Sequence, residues 1–144
     1  YAEVELTRGK FAKIDLEDIP KVKKISWSVD KDCYARSSGI MMHRIIMNVK
    51  GKMCVDHINH DGLDNRKSNL RVCTRMQNSW NNLGRKNGLK GCYKVRKIFR
   101  AIIACNGEKI NLGYFPTEEL AARAYDEAAK KYHGEFACLN FPNN

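Results

Sequence analysis

Between Asp64 and Glu108 the sequence has no acidic residue, yet that stretch carries Arg66, Lys67, Arg71, Arg75, Arg85, Lys86, Lys90, Lys94, Arg96, Lys97 and Arg100. An ordinary solvated face mixes signs, so a run this one-sided marks a surface that meets a polyanion. The chain also has no CxxC pair. Cys33, Cys54, Cys73, Cys92, Cys105 and Cys138 lie far apart, which argues against a zinc knuckle or a compact disulfide framework and for reduced, partly buried thiols. No apolar run approaches the length of a membrane span, and the N-terminus lacks a signal-peptide core. The expectation is a soluble, cytoplasmic protein with no membrane partner.

What is there bounds the answer further. At 144 residues the chain fits one ordinary domain or two small ones, and two compact modules with modest cores are expected. The formal net charge of +10 raises association rates with a polyanion without saying which one.

In the N-terminal third, Val4, Leu6, Phe11 and Ile14 flank Arg8-Gly9-Lys10, which predicts a short hairpin. The following 15–24 contains Pro20 and has room only for a short helical turn. Ile25, Trp27 and Val29 point one way on a second strand, Tyr34 to Arg36 returns, and Trp27 belongs to the core. The apolar residues of 40–48 fit either a helix turn or a strand. His43 there is read as structural, with a phosphate-facing pair of His43 and Arg44 as the alternative.

The centre of the chain is 55–82, VDHINHDGLDNRKSNLRVCTRMQNSWNN. A strand ending at Asp56-His57, an irregular loop over 59–67, a returning strand at 70–72 and a helix capped by Thr74 are predicted. Magnesium needs only one or two protein oxygens plus a phosphate, and the Asp56 carboxylate and the Asn78 amide can supply them to one Mg2+ ion. His57, next to a ligand, is placed as general base toward water. The Asn69 side-chain oxygen or a backbone carbonyl is the candidate that fixes its tautomer. Asp61, Gly62, Asp64, Asn65 and Ser68 read as turn and cap residues.

In the last third, three strands are expected over 92–97, 99–105 and 109–114, with Asn106-Gly107 as a hairpin turn. Thr117 caps a helix whose apolar stripe is Leu120, Ala121, Ala124, Tyr125, Ala128, Ala129 and Tyr132, with outer pairs Glu119–Arg123 and Glu127–Lys131. The helix covers one sheet face. The other, carrying Arg100 with Lys94, Arg96 and Asn111, is free to enter a major groove, although Tyr93 and Val95 compete with Lys94 and Arg96 for the outward positions.

Two stretches resemble known families. Asp56-His57, Asn69 within Lys67-Ser68-Asn69-Leu70-Arg71, and Asn78 within Gln77-Asn78-Ser79-Trp80 are similar to the HNH nuclease motif, in a His-Asn-Asn variant, of phage and intron-encoded homing endonucleases. The resemblance implies a ββα-metal fold in which Asp56 and Asn78 are ligands, His57 is the base and Asn69 orients it, with Asn81 or Asn82 as the alternative ligand from the helix. With Asn78 where histidine is commonest, it implies magnesium or manganese. Leu63-Asp64-Asn65-Arg66 also looks typical of the family and reads as a loop lock, with Arg66 near phosphate. Leu112-Gly113-Tyr114-Phe115, 121–129 (AARAYDEAA) and Leu139-Asn140-Phe141-Pro142 resemble the DNA-binding domain of the APETALA/ethylene-response-factor class, over about 90–142.

Together these give an α+β chain in three parts. Residues 1–82 form a small antiparallel β layer leading into the ββα-metal nuclease motif. Residues 83–91 are a basic connector, and 92–144 are a three-stranded antiparallel sheet packed on one helix. The function expected is site-directed, metal-dependent cleavage of double-stranded DNA, in a bacterial cytoplasm if phage-encoded. A monomer, with one metal centre, would nick; a homodimer would cut both strands. The alternatives are a sequence-specific DNA-binding regulator with an inactive nuclease module and a structural RNA-binding protein. The cations assigned to the DNA footprint are Arg66, Arg71, Arg75, Arg85, Lys86, Lys90, Lys94, Arg96, Lys97 and Arg100, with Asn111.

Overall fold

The structure, a computed structural model, describes residues 1–84 and 88–142. The chain divides into two compact units, 1–78 and 79–144. The first is β-rich. β1 (Ala2–Glu5) and β2 (Phe11–Ile14) form the expected hairpin. A short helix α1 (Ile19–Val22) follows, with Pro20 in its first turn, where the missing N–H costs nothing. β3 (Ser28–Val29), β4 (Ala35–Ser37) and β5 (Ile40–Met41) make a small antiparallel sheet, and α2 (Met42–Ile46) continues directly from β5. The segment that fitted either element is thus both in turn.

Leu6, Ala12, Ile14, Val22, Trp27, Ala35, Met42, Ile46, Val55 and Leu70 form one buried cluster. Trp27 lies in it and satisfies its indole N–H by donating to the Val22 carbonyl at 3.1 Å. The hairpin also reaches the central motif. Lys13 N–H donates to the Leu63 carbonyl and Asn65 N–H donates to the Lys13 carbonyl, each at 2.8 Å. The loop between β6 (Cys54–His57) and β7 (Leu70–Cys73) is therefore pinned by backbone bonds to β2. α3 (Arg75–Trp80) follows β7.

The second unit is mixed α/β. β8 (Cys92–Val95), β9 (Ile98–Cys105) and β10 (Glu108–Phe115) form an antiparallel sheet with β9 central, and α4 (Glu118–His133) packs on it. Asn106 and Gly107 both have positive φ, 52° and 85°, as a primed two-residue turn requires. The Thr117 side chain caps α4 by accepting from Leu120 N–H at 3.3 Å.

The stripe on α4 differs from the expected one. Leu120 is exposed, while Ala122, Asp126 and His133 are buried beside Ala121, Tyr125, Ala128 and Ala129. The reason is the C-terminal tail. Asp126 accepts from Asn140 N–H and from the Asn140 side-chain amide through Oδ1, at 2.8 and 3.0 Å, and from Phe141 N–H through Oδ2 at 2.9 Å. A carboxylate holding three donors is fully compensated inside. Glu119 pairs with Arg123 as expected, whereas Glu127 meets Lys130 rather than Lys131. Among the described residues no helix is long and apolar enough to cross a membrane.

Candidate functional site

β6 and β7 pair so that Asp56 faces Arg71 and His57 faces Leu70. Asp56 and His57 are both buried, at 6% and 4% exposure, although neighbours on a strand point to opposite faces. Arg71 Nε and an Nη both reach Asp56 Oδ2, at 2.8 and 2.7 Å. The guanidinium assigned to the DNA footprint is thus committed to the carboxylate assigned to the metal.

His57 sits among rings that the sequence reading did not bring to it. The His43 ring lies 5.0 Å away edge to face, and Tyr34 lies 5.5 Å away. Its Nε2 is 3.3 Å from Asn65 Oδ1. The Asn65 amide N–H donates to the Leu63 carbonyl at 3.2 Å, which turns its oxygen to the imidazole. This contact favours the neutral tautomer of His57 that carries its proton on Nε2 and its lone pair on Nδ1. Burial lowers the His57 pKa below the ordinary imidazole value, against the Asn65 bond and the Asp56 charge, which raise it. Burial, then His57 and Arg44, brings His43 down to about 4. Both imidazoles are neutral at physiological pH.

The tautomer contact expected of Asn69 is made by Asn65, read from sequence as a turn residue and here completely buried. Asn69 acts on the loop instead. Its oxygen accepts from Asn59 N–H at 3.0 Å, and its amide donates to Asn59 Oδ1 at 2.9 Å and to the Asp64 carbonyl at 2.8 Å. Arg66 grips both Asp64 oxygens at 2.7 and 2.6 Å, and that bond holds the Asp64 carboxyl below the usual range. The loop lock read in Leu63-Asp64-Asn65-Arg66 is this fork. The one legible signal for Asn65 was its place within that tetrapeptide.

The helix start has a reciprocal cap: Thr74 N–H donates to Gln77 Oε1 at 2.9 Å and Gln77 N–H donates to Thr74 Oγ1 at 3.2 Å. Asn78 is exposed on α3, Asn81 is buried, and Asn82 accepts from Gly84 N–H at 2.7 Å. Among the described residues no group of three or more His, Cys, Asp or Glu side chains is arranged to hold a metal. A magnesium site needs fewer protein ligands than that, and the hard oxygens of Asp56 and Asn78 are the right donor chemistry for it.

The remaining footprint residues separate. Arg75 is exposed. Arg44 is not turned to phosphate: its Nη atoms donate to the Met53 and Gly51 carbonyls at 2.7 and 3.0 Å. Lys90 is drawn inside its unit. Its ammonium donates to the Trp80 carbonyl at 2.5 Å and lies over the Tyr125 ring, and burial lowers its pKa. Lys94 pairs with Phe99, and Tyr93 pairs with Arg100. Opposed residues share a face, so Tyr93 and Val95, rather than Lys94, lie on the open face with Arg100. Arg96 and Lys97 are exposed at the β8–β9 turn, and Arg100 Nε donates to Asn111 Oδ1 at 3.1 Å. Arg85 and Lys86 lie outside the described residues.

A strand hairpin carrying a buried Asp-His pair, closed by an asparagine-locked loop and followed by a helix, is a nuclease-like site, and the comparisons say which kind. The profile of the HNH endonuclease family matches residues 41–80. The chain is 36% identical to an uncharacterized HNH endonuclease of Acanthamoeba polyphaga mimivirus, over 92% of this chain and 76% of the relative. The chain belongs to the HNH endonuclease family. Protein 3.8 of Escherichia phage T7 is 32% identical over 58% of this chain and 72% of its own length. A shorter match, 55% identical over 38 residues, joins 26% of this chain to 11% of the dehydration-responsive element-binding protein 2A of Arabidopsis thaliana.

Proposed function

We propose that this protein is a metal-assisted endonuclease of double-stranded DNA, with His57 as the general base. The observation that carries the reading is the state of His57. In a chain of the HNH endonuclease family, a neutral imidazole beside Asp56 is held in one tautomer by a buried amide. Its basic Nδ1 takes a proton from the water that attacks phosphorus. Asp56 and Asn78 would hold a magnesium or manganese ion, which would stabilise the charge on the phosphate and the departing 3′ oxygen. Arg71 fixes the rotamer of Asp56 through its two bonds to Oδ2. Asn69 acts one step back, by holding the 59–64 loop from which Asn65 is presented.

The same reading makes 1–82 the cutting part, of ββα-metal type, 83–91 a phosphate-tracking connector with Arg85 and Lys86, and 92–144 a binding part of the APETALA/ethylene-response-factor kind. In the last, Arg100, Asn111, Arg96 and Lys97 face the major groove. The match to the Arabidopsis element-binding protein and the bare sheet face support that division.

One observation favours a second reading, a DNA-binding regulator with a silent nuclease unit: the Asp56 carboxylate is already neutralised by Arg71. Plasmid cleavage in magnesium separates the two. Wild type is expected to cut, and His57→Ala to lose cutting by more than a hundredfold while binding duplex DNA as before. Intact plasmid across a full series of divalent ions and pH would leave the regulator.

A further inference from the structure

The open sheet face of the second unit is mostly apolar. Tyr93 and Val95 on β8, Ile98 on β9 and Tyr114 on β10 are all exposed, at 41%, 38%, 41% and 55%. The register places them on one side with Arg100 and Asn111. Arg100 is tethered twice, by the bond from its Nε to Asn111 and by stacking of its guanidinium 5.8 Å from the Tyr114 ring. The face therefore sets one oriented guanidinium between apolar flanks, with Lys109 opposite Ala104 toward the β9–β10 turn and Arg96 and Lys97 at the β8–β9 turn. A bare apolar sheet would suit another protein, but no acidic residue occurs anywhere in 65–107 and the turn at its edge is doubly cationic, so the complement is a polyanion.

In a major groove the apolar feature is the C5-methyl group of thymine, or of a 5-methylated cytosine, and the partner of a fixed guanidinium is the O6/N7 edge of guanine. We propose that this sheet selects duplex sites by their C5-methyl groups, Val95 and Ile98 packing on methyls beside a guanine held by Arg100. The inference rests on the DNA reading above and adds what part of the DNA is read.

The test needs no cleavage. A random duplex library is selected on the full chain in EDTA at fixed salt, and the recovered site is measured by fluorescence anisotropy with thymine, with deoxyuridine, and with 5-methylcytosine at its cytosines. Burying a methyl group is worth about fourfold in affinity. Deoxyuridine is therefore expected to weaken binding about fourfold per contacted thymine, and 5-methylcytosine to strengthen it only where the contacted methyl comes from cytosine. Val95→Ala with Ile98→Ala, surface changes checked by an unaltered melting temperature, should abolish the difference. Equal affinity for the methylated and unmethylated forms overturns the proposal, as does a difference that survives in the double variant. If the two changes alter self-association by sedimentation and leave duplex affinity intact, the face binds a second copy and the proposal falls. A chain that binds no duplex at all sinks the DNA reading, and this one with it.

Discussion

At the scale of single residues, the work around His57 is shared out. Asn65 touches the imidazole, whereas Asn69 touches only the loop that carries Asn65. Asn65→Ala should therefore lower the turnover of plasmid DNA about 10- to 100-fold, as the loss of an orienting partner does, with duplex affinity unchanged. An equal fall in affinity would mean that the loop, rather than the ring, had moved. His43 supports a different measurement. Its pKa is brought from 6.5 down to about 4, chiefly by burial, so between those values the unfolded chain binds a proton that the native chain refuses. The stability contributed by a neutral His43 is complete above pH 6.5 and is lost as the pH falls toward 4, by at most about 3 kcal/mol. Urea unfolding at pH 7 and at pH 4.5 should register that loss in wild type. His43→Phe, which keeps a ring against His57, should remove the His43 share of it and leave what His57 and His133, whose pKa values burial also lowers, contribute.

At the scale of elements, the second unit depends on close approaches that only glycine permits. Gly91 has a φ of +76°, and a Cβ there would fall 1.9 Å from the Tyr125 ring. Gly91→Ala meets strain and overlap together and should cost about 2–4 kcal/mol, seen as a lower melting temperature of the full chain. Most of this unit was legible in the sequence because its signals are local: Asn106-Gly107 for the hairpin turn and Thr117 for the cap. Strand parity was not, because Tyr93 and Val95 alternate as regularly as Lys94 and Arg96, and only pairing with Ile98–Cys105 decides between them. The rotated stripe on α4 escaped for a similar reason: Asp126 is buried by Asn140 and Phe141, which are distant in sequence. In the first unit, spacing marked Asp56 and His57 themselves. The rings of Tyr34 and His43, and the Arg71 fork on Asp56, exist only once β4, α2 and the β6–β7 hairpin have packed.

At the scale of the whole molecule, the net charge of +10 and the Asp56-His57 pair bear, on the proposed reading, on how the chain would meet and cut DNA. Phosphate contacts release counterions, so log affinity should fall linearly with log salt, at a slope of about 0.9 per phosphate neutralised. Arg75, Arg96 and Lys97 are exposed and free to take part, whereas Arg71 and Lys90 are held inside their own units. Arg71→Ala should therefore leave the salt slope where it is, while Arg96→Ala with Lys97→Ala should reduce it by up to about two. The single site bears on the product. On the proposed reading, one base and one Asp/Asn metal site per chain would activate one water against one phosphodiester, so supercoiled plasmid should first become open circle at a rate proportional to enzyme. Linear DNA should follow only by a second, independent nick or through a second protomer. A time course that yields linear DNA directly, at enzyme concentrations where sedimentation finds only monomer, would contradict a one-site chain acting alone.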